Sequence, residues 1–155
     1  MRFLKMPFFV LFALLLVAGC SKKADDTDSM ADSDMDENPY AELAGDWMVE
    51  AYANDAAEDA EPLVVVMVTA TDSDEGWSTK FTHLEDAIPA TNIFMNGDSV
   101  VVESGSYASA LRDGRTVESL TSYYHFHGQE MSGRFVATYD DGVVTRGKFM
   151  GARID

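Results

Sequence analysis

From Tyr40 onward, apolar and polar side chains alternate in short runs broken by turn residues, and that rhythm admits little except antiparallel β-structure. Eight runs stand out by alternation and by β-branched and aromatic content: roughly 46–53, 63–70, 77–83, 91–96, 99–104, 116–126, 129–139 and 143–153. Asp72 to Gly76, Asn96-Gly97-Asp98, His127-Gly128-Gln129 and Asp140-Asp141-Gly142 punctuate them. Asn96-Gly97 is the strongest hairpin signal, because a type I′ turn needs positive φ at both central positions. No segment has helical periodicity, although Tyr40 to Ala44 and Leu84 to Ala87 can each make one turn of helix. Short connections make consecutive strands antiparallel neighbours. Eight meandering strands close into a barrel, which removes both sheet edges. Its interior holds packed side chains or one small ligand. The expected fold is all-β: an eight-stranded antiparallel up-and-down barrel.

Alternation also assigns faces. In 129–139, Met131, Gly133, Phe135, Ala137 and Tyr139 share one side, and Glu130, Ser132, Arg134, Thr138 and Asp140 share the other, so the first side points inward. In 143–153, Arg146 and Lys148 face out, which leaves Val143, Thr145, Gly147, Phe149 and Gly151 inside. Leu120, Tyr124 and Phe126 suit the interior, and Met67 and Met95 read as core. Glycines among inward aromatics make room for bulky neighbours. The connections 54–62, 84–90 and 105–115 are long and alternate with tight ones. In a meander they fall at one end, which becomes the mouth, while the other end is stitched shut.

The region before the barrel is of a different kind. Arg2 and Lys5 precede an apolar run from Pro7 to Val17, followed by Ala18, Gly19 and the sole cysteine, Cys20. The run is too short for a bilayer-spanning helix of about 20 residues. It has the parts of a signal peptide over 1–19. Val17-Ala18-Gly19-Cys20 resembles the lipobox of bacterial lipoproteins. That resemblance implies cleavage before Cys20, diacylglyceryl attachment to its sulfur and acylation of the new amine. Each buried methylene contributes about 0.8 kcal/mol, so two or three acyl chains hold a protein durably on a membrane. Ser21, rather than aspartate, follows Cys20; by the same resemblance this points to the outer membrane of the cell envelope. Residues 20–38 form the tether: 21–38 contain seven acids and two lysines, a net of −5, with no aromatic residue. Such a stretch cannot bury enough surface to offset its ordering entropy and is expected to be disordered.

A chain with formal net charge −16 disfavours nucleic acid as a partner. Removal of 1–19 deletes two cations and leaves −18 on 136 residues, enough for one domain, 39–155, with one core. The charge keeps a tethered domain soluble, and a high-salt habitat favours the same composition.

Gly45-Asp46-Trp47, after Leu43-Ala44, and the late Arg153 after Gly151-Ala152 resemble the lipocalin-like (calycin) barrels. That resemblance implies a Trp47 plug at the closed end with Arg153 packed across it, a cation–π contact worth about 0.5–2 kcal/mol. Gly45, Trp47 and Arg153 are therefore the expected structural residues of the barrel base. His127-Gly128-Gln129 stands where that family has a T-D-Y-type motif, and no helix is read after the last strand. Avidin-like barrels, which also open with G-x-W and lack that helix, remain an alternative.

Chemistry-bearing constellations are few. His125 and His127 lie in phase with Tyr123 on one face, and two histidines need a third or fourth ligand to hold a metal. Tyr124 and Phe126 opposite them put the pair outside, so they are weak metal candidates and no metal or other cofactor is expected. His83 joins them only if folding brings it close. Asp72 to Gly76 reads as an acidic turn. Arg112 and Arg115 at the mouth can bind an anionic head group or neutralise Asp113. No Gly-x-Ser-x-Gly elbow, phosphate loop or dinucleotide fingerprint occurs, so no enzymatic activity is expected. The expected function is carriage of a small apolar or amphipathic ligand in the envelope. Its candidate contacts are Trp77, Phe81, Val100, Val102, Tyr107, Arg112, Tyr124, Phe135 and Phe149. The alternative is a non-catalytic structural or interaction module with a filled barrel. A cavity above about 300 Å³ separates the two.

Overall fold

A computed structural model describes residues 38–154. The expected signal peptide, Cys20 and nearly all of the tether lie outside the described residues. The elements are β1 (Gly45–Ala53), β2 (Val64–Ala70), β3 (Ser78–Phe81), β4 (Ile88–Asn96), β5 (Ser99–Ser104), β6 (Tyr107–Ala108), β7 (Thr116–His127), β8 (Glu130–Tyr139) and β9 (Val144–Ile154), after a single 3₁₀ turn at Ala41–Leu43. All pairings are antiparallel. Neighbours in sequence are neighbours in the sheet, β1 pairs with β9, and β5 pairs with β7 past the two-residue β6. The result is a closed eight-stranded up-and-down barrel, with β6 as a stub on the end of β7.

The interior is apolar and continuous. Trp47, Val49, Val68, Val100, Tyr124, Phe135 and Phe149 belong to one buried cluster. On β8, Met131, Phe135, Ala137 and Tyr139 are buried, while Glu130 and Arg134 are exposed. On β9, Gly147 and Phe149 are buried between exposed Arg146, Lys148 and Met150, but Val143 and Val144 at its start lie exposed beyond the core. The inward glycines are sterically required. A Cβ at Gly133 would clash with the Phe149 ring and the Tyr123 carbonyl oxygen, and one at Gly147 with the Phe135 ring and the Tyr52 carbonyl oxygen. Each aromatic therefore fills the space that a glycine on the neighbouring strand vacates, since these residues are register partners across β8 and β9.

Several expectations shift. β4 begins at Ile88, inside the span expected to be loop. Pro89 has no N–H for a ladder, but β3 and β4 pair over only two positions, so little is lost. Bulges between Ala90 and Asn92 and between Val117 and Ser119 invert the alternation. In β7 this puts Val117 inside together with the even-numbered Ser122 and Tyr124. Met67 is not core: Val66 and Val68 take the inner positions of β2, and Met67 lies half-buried outside. Met95 is also exposed. At the β4–β5 turn Asn96 pairs with Ser99, so the central residues are Gly97 (φ +64°) and Asp98, one position later than Asn96-Gly97. Leu84 to Ala87 bends without forming helix, after a turn at Thr82-His83.

Candidate functional site

The closed end is built from two tryptophans. Trp47 is fully buried, and Arg153 lies over its ring at 4.6 Å from the centroid. The indole N–H donates to the Leu43 carbonyl at 3.0 Å, and the Arg153 guanidinium also donates to the Glu42 carbonyl. Gly45 beside it has φ +143°, a backbone conformation that L side chains rarely adopt. Trp77, expected among ligand contacts, belongs to this plug. It precedes β3, meets Phe126 edge-on at 6.3 Å and donates its indole N–H to the Ser73 carbonyl at 2.9 Å. Phe126 also packs edge-on to Trp47 at 5.1 Å, so one ring joins the two indoles. The acidic turn from Asp72 to Gly76 thus serves as a hydrogen-bonding cap for Trp77.

The mouth end holds the interior cavity. It measures about 60 Å³, and its walls include Phe81, Tyr107, Tyr124, Phe135 and Phe149. Those five were expected contacts; Trp77, Val100, Val102 and Arg112 do not line it. Thr79 and Ser122 are buried polar side chains beside the buried Tyr124. They satisfy one another through the Tyr124 hydroxyl, and burial pushes that phenol up to about 12 against the pull of these two hydrogen bonds. Burial also raises the Tyr107 phenol, helped by the neighbouring Tyr139 and Tyr124.

Segment 105–115 covers the cavity as a strap. Tyr107 stacks on Phe81 with centroids 4.9 Å apart, and β6 pairs with the start of β7. The Ser109 hydroxyl accepts from the Leu111 and Arg112 amides at 3.1 and 2.9 Å. Ser109, Ala110 and Leu111 complete the cavity roof. His83 lies 3.1 Å from the Ala108 carbonyl and ties the strap to the β3–β4 connection. Arg112 does not reach into the barrel. It lies over the Tyr139 ring at 4.7 Å and binds Asp141 bidentately at 3.1 and 3.0 Å. The neutralised acid is therefore Asp141, from the β8–β9 turn, and not Asp113. Hydrogen bonds from Arg112 hold the Asp141 carboxyl below its ordinary range, and Arg115 adds a contact to the same carboxylate at 3.1 Å.

The histidines do not converge. His125 faces outward beside Ser99 and Asp98, at 3.3 and 3.7 Å, and His127 is exposed where β7 ends. His83 is at the mouth. Among the described residues no group of three or more His, Cys, Asp or Glu side chains is placed to hold a metal ion.

No family model matches this chain, and no curated protein matches it. Among solved structures it is similar to a tryptophan-to-alanine mutant of the vaccine antigen Transferrin Binding Protein B from Haemophilus parasuis Hp5. The identity is 18%, the TM-score 0.35, and the match covers 70% of this chain and 25% of that one. The chain thus spans about a quarter of that protein's length, and the assignment of the barrel rests on its own strand pairing.

Proposed function

We propose that this protein is a lipid-anchored, non-catalytic module of the bacterial envelope that works through its outer surface, with the barrel as a filled scaffold. The observation that carries this reading is the interior of about 60 Å³, against about 300–1,000 Å³ for pockets that enclose small-molecule ligands. Aromatic rings and a strap occupy the volume that a cargo would need. The barrel's polarity fits a water-exposed domain: apolar side chains fill the inside while Glu130, Arg134, Arg146 and Lys148 face out, the reverse of the apolar outer band of a membrane-spanning barrel. Anchoring rests on the sequence Val17-Ala18-Gly19-Cys20, and Ser21 favours the outer membrane.

Carriage of a small apolar molecule is the second reading, and the nature of the mouth favours it. The cavity wall is almost wholly apolar, and its roof is one strap fastened from outside by Arg112 and Asp141. Release of that fastening would open the interior to an acyl chain.

Native mass spectrometry of the full protein, extracted from its own envelope in mild detergent, separates these readings. A mass equal to the polypeptide from Cys20 plus its acyl chains, with nothing further bound, is the expected result. A stoichiometric additional small molecule would overturn the filled scaffold in favour of the carrier. A mass without acyl chains would remove the anchor.

A further inference from the structure

The outer face of β8 and β9 carries charges that the barrel does not need. Arg134 is the direct cross-strand partner of Lys148, and Arg146, partner of Val136, lies diagonally from Arg134 on the same face. Like charges opposite one another in an antiparallel pair are destabilising. Neutralising residues are plentiful, since the chain has 27 Asp and Glu against 11 Lys and Arg. Yet neither Arg134 nor Arg146 forms an ion pair among the described residues. Lys148 donates only to a backbone carbonyl, that of Ala56 at 2.8 Å. The remaining barrel cations are committed elsewhere: Lys80 to the Leu84 carbonyl, Arg112 and Arg115 to the β8–β9 turn, Arg153 to the tryptophan plug.

A shallow groove of about 540 Å³ opens on this face. Ser99, His125, Ser132, Arg134 and Lys148 line it, and no carboxylate residue does; Asp98 stands at its rim, 3.7 Å from His125. Arg134 lies over the Tyr123 ring at 4.5 Å, which fixes the plane of the guanidinium. A stacked guanidinium still presents its N–H edge, the fork that binds oxyanions bidentately. Two cations line the groove with no carboxylate between them, and a phosphate group brings up to two negative charges and three terminal oxygens to meet them.

We propose that this outer face of β7, β8 and β9 is a binding site for a phosphate group. Arg134 is the bidentate donor, Lys148 supplies the second charge, and the side chains of Ser99, Ser132 and His125 donate around the groove. The site stands whether the barrel interior is filled or carries cargo. Its phosphate belongs either to a phosphorylated solute or to the head group of an anionic lipid.

All barrel strands lie within 38–154, so the chain from residue 20, with Cys20→Ser to exclude acyl chains, retains the fold. Amide shifts of this chain are followed by NMR during titration with inorganic phosphate at constant ionic strength, with chloride as control. Saturable shifts are expected at His125, Ser132, Arg134 and Lys148. Arg134→Gln/Lys148→Gln should weaken the midpoint by roughly tenfold, and Arg134→Lys by less, because it keeps charge but loses the fork. Removal of the opposed charges should leave the thermal midpoint unchanged or raised, so lost binding is not lost folding. Sedimentation with phosphatidylglycerol and phosphatidylcholine vesicles then distinguishes the sources. Retention on the anionic vesicles alone, abolished in the double variant, identifies a lipid head group; phosphate binding without vesicle preference identifies a phosphorylated solute. Shifts that chloride reproduces, or that survive the double substitution, overturn the proposal.

Discussion

The two ends of this barrel are closed by opposite means. At the tight end Trp47 and Trp77 are 0% and 1% exposed, each indole N–H is satisfied by the carbonyl four residues earlier, and Phe126 touches both rings. At the mouth the closure is a strap with a two-residue strand, fastened by Arg112, Arg115, Asp140 and Asp141 at the surface. Buried aromatics contribute several kcal/mol each, whereas surface ion pairs contribute about 0–1 kcal/mol. Stability is therefore concentrated at the plug, while the strap is where local opening starts.

Truncation of the plug should have the largest effect. Trp47→Ala should lower unfolding free energy by about 3–5 kcal/mol in urea titration. Trp77→Ala should fall in the same range; a loss below about 1 kcal/mol for either would remove it from the plug. Next comes the aromatic–glycine interlock. Gly147→Ala drives a methyl against the Phe135 ring and the Tyr52 carbonyl oxygen and should cost about 1–3 kcal/mol by the same titration. An unchanged midpoint would show that β8 and β9 are looser than their packing implies.

Alkali offers a gentler probe of the interior below the strap. The folded state holds the Tyr124 proton up to about pH 12, while an unfolded tyrosine releases it near 10. The folded chain then binds more protons than the unfolded one, so stability declines as pH rises from about 10 to 12. Tyr107 is shifted in the same direction. Thermal midpoints that stay level across this window would contradict the burial of these phenols. The smallest effect belongs to the mouth: Asp141→Asn should leave the global urea midpoint nearly unchanged, because a solvent-screened ion pair contributes little. It should nevertheless speed hydrogen exchange of the amides in 107–115. A global loss as large as that of Trp47→Ala would erase the difference between the two ends.

Much of the fold was readable from local rhythm. The alternation of β8 assigned its buried residues, and the turns at Gly128 and Gly142 bounded it, because facing on a strand repeats every two residues. Gly45, Trp47 and Arg153 were recognisable as a set because their spacing resembles the base of a known class of barrels. Bulges were not readable, since one extra residue in β7 inverts the phase without any distinctive local composition. Trp77 shows a second limit. An apolar residue beside a strand looks the same whether it faces a cavity or plugs the base, and its height along the barrel axis separates the two. The interior volume was beyond reach for the same reason, because it depends on how rings from distant strands share space.

The sequence alone determined the number of principal strands, their antiparallel order, most inward faces and which end carries the long loops. These are properties of short windows, set by alternation and turn chemistry. Only the tertiary structure decided that Arg112 meets Asp141 rather than Asp113, that Trp77 joins Trp47, and that Arg134 is set opposite Lys148. Barrel closure and strand register make those neighbours. A one-residue change of register would exchange the faces and dissolve each of them.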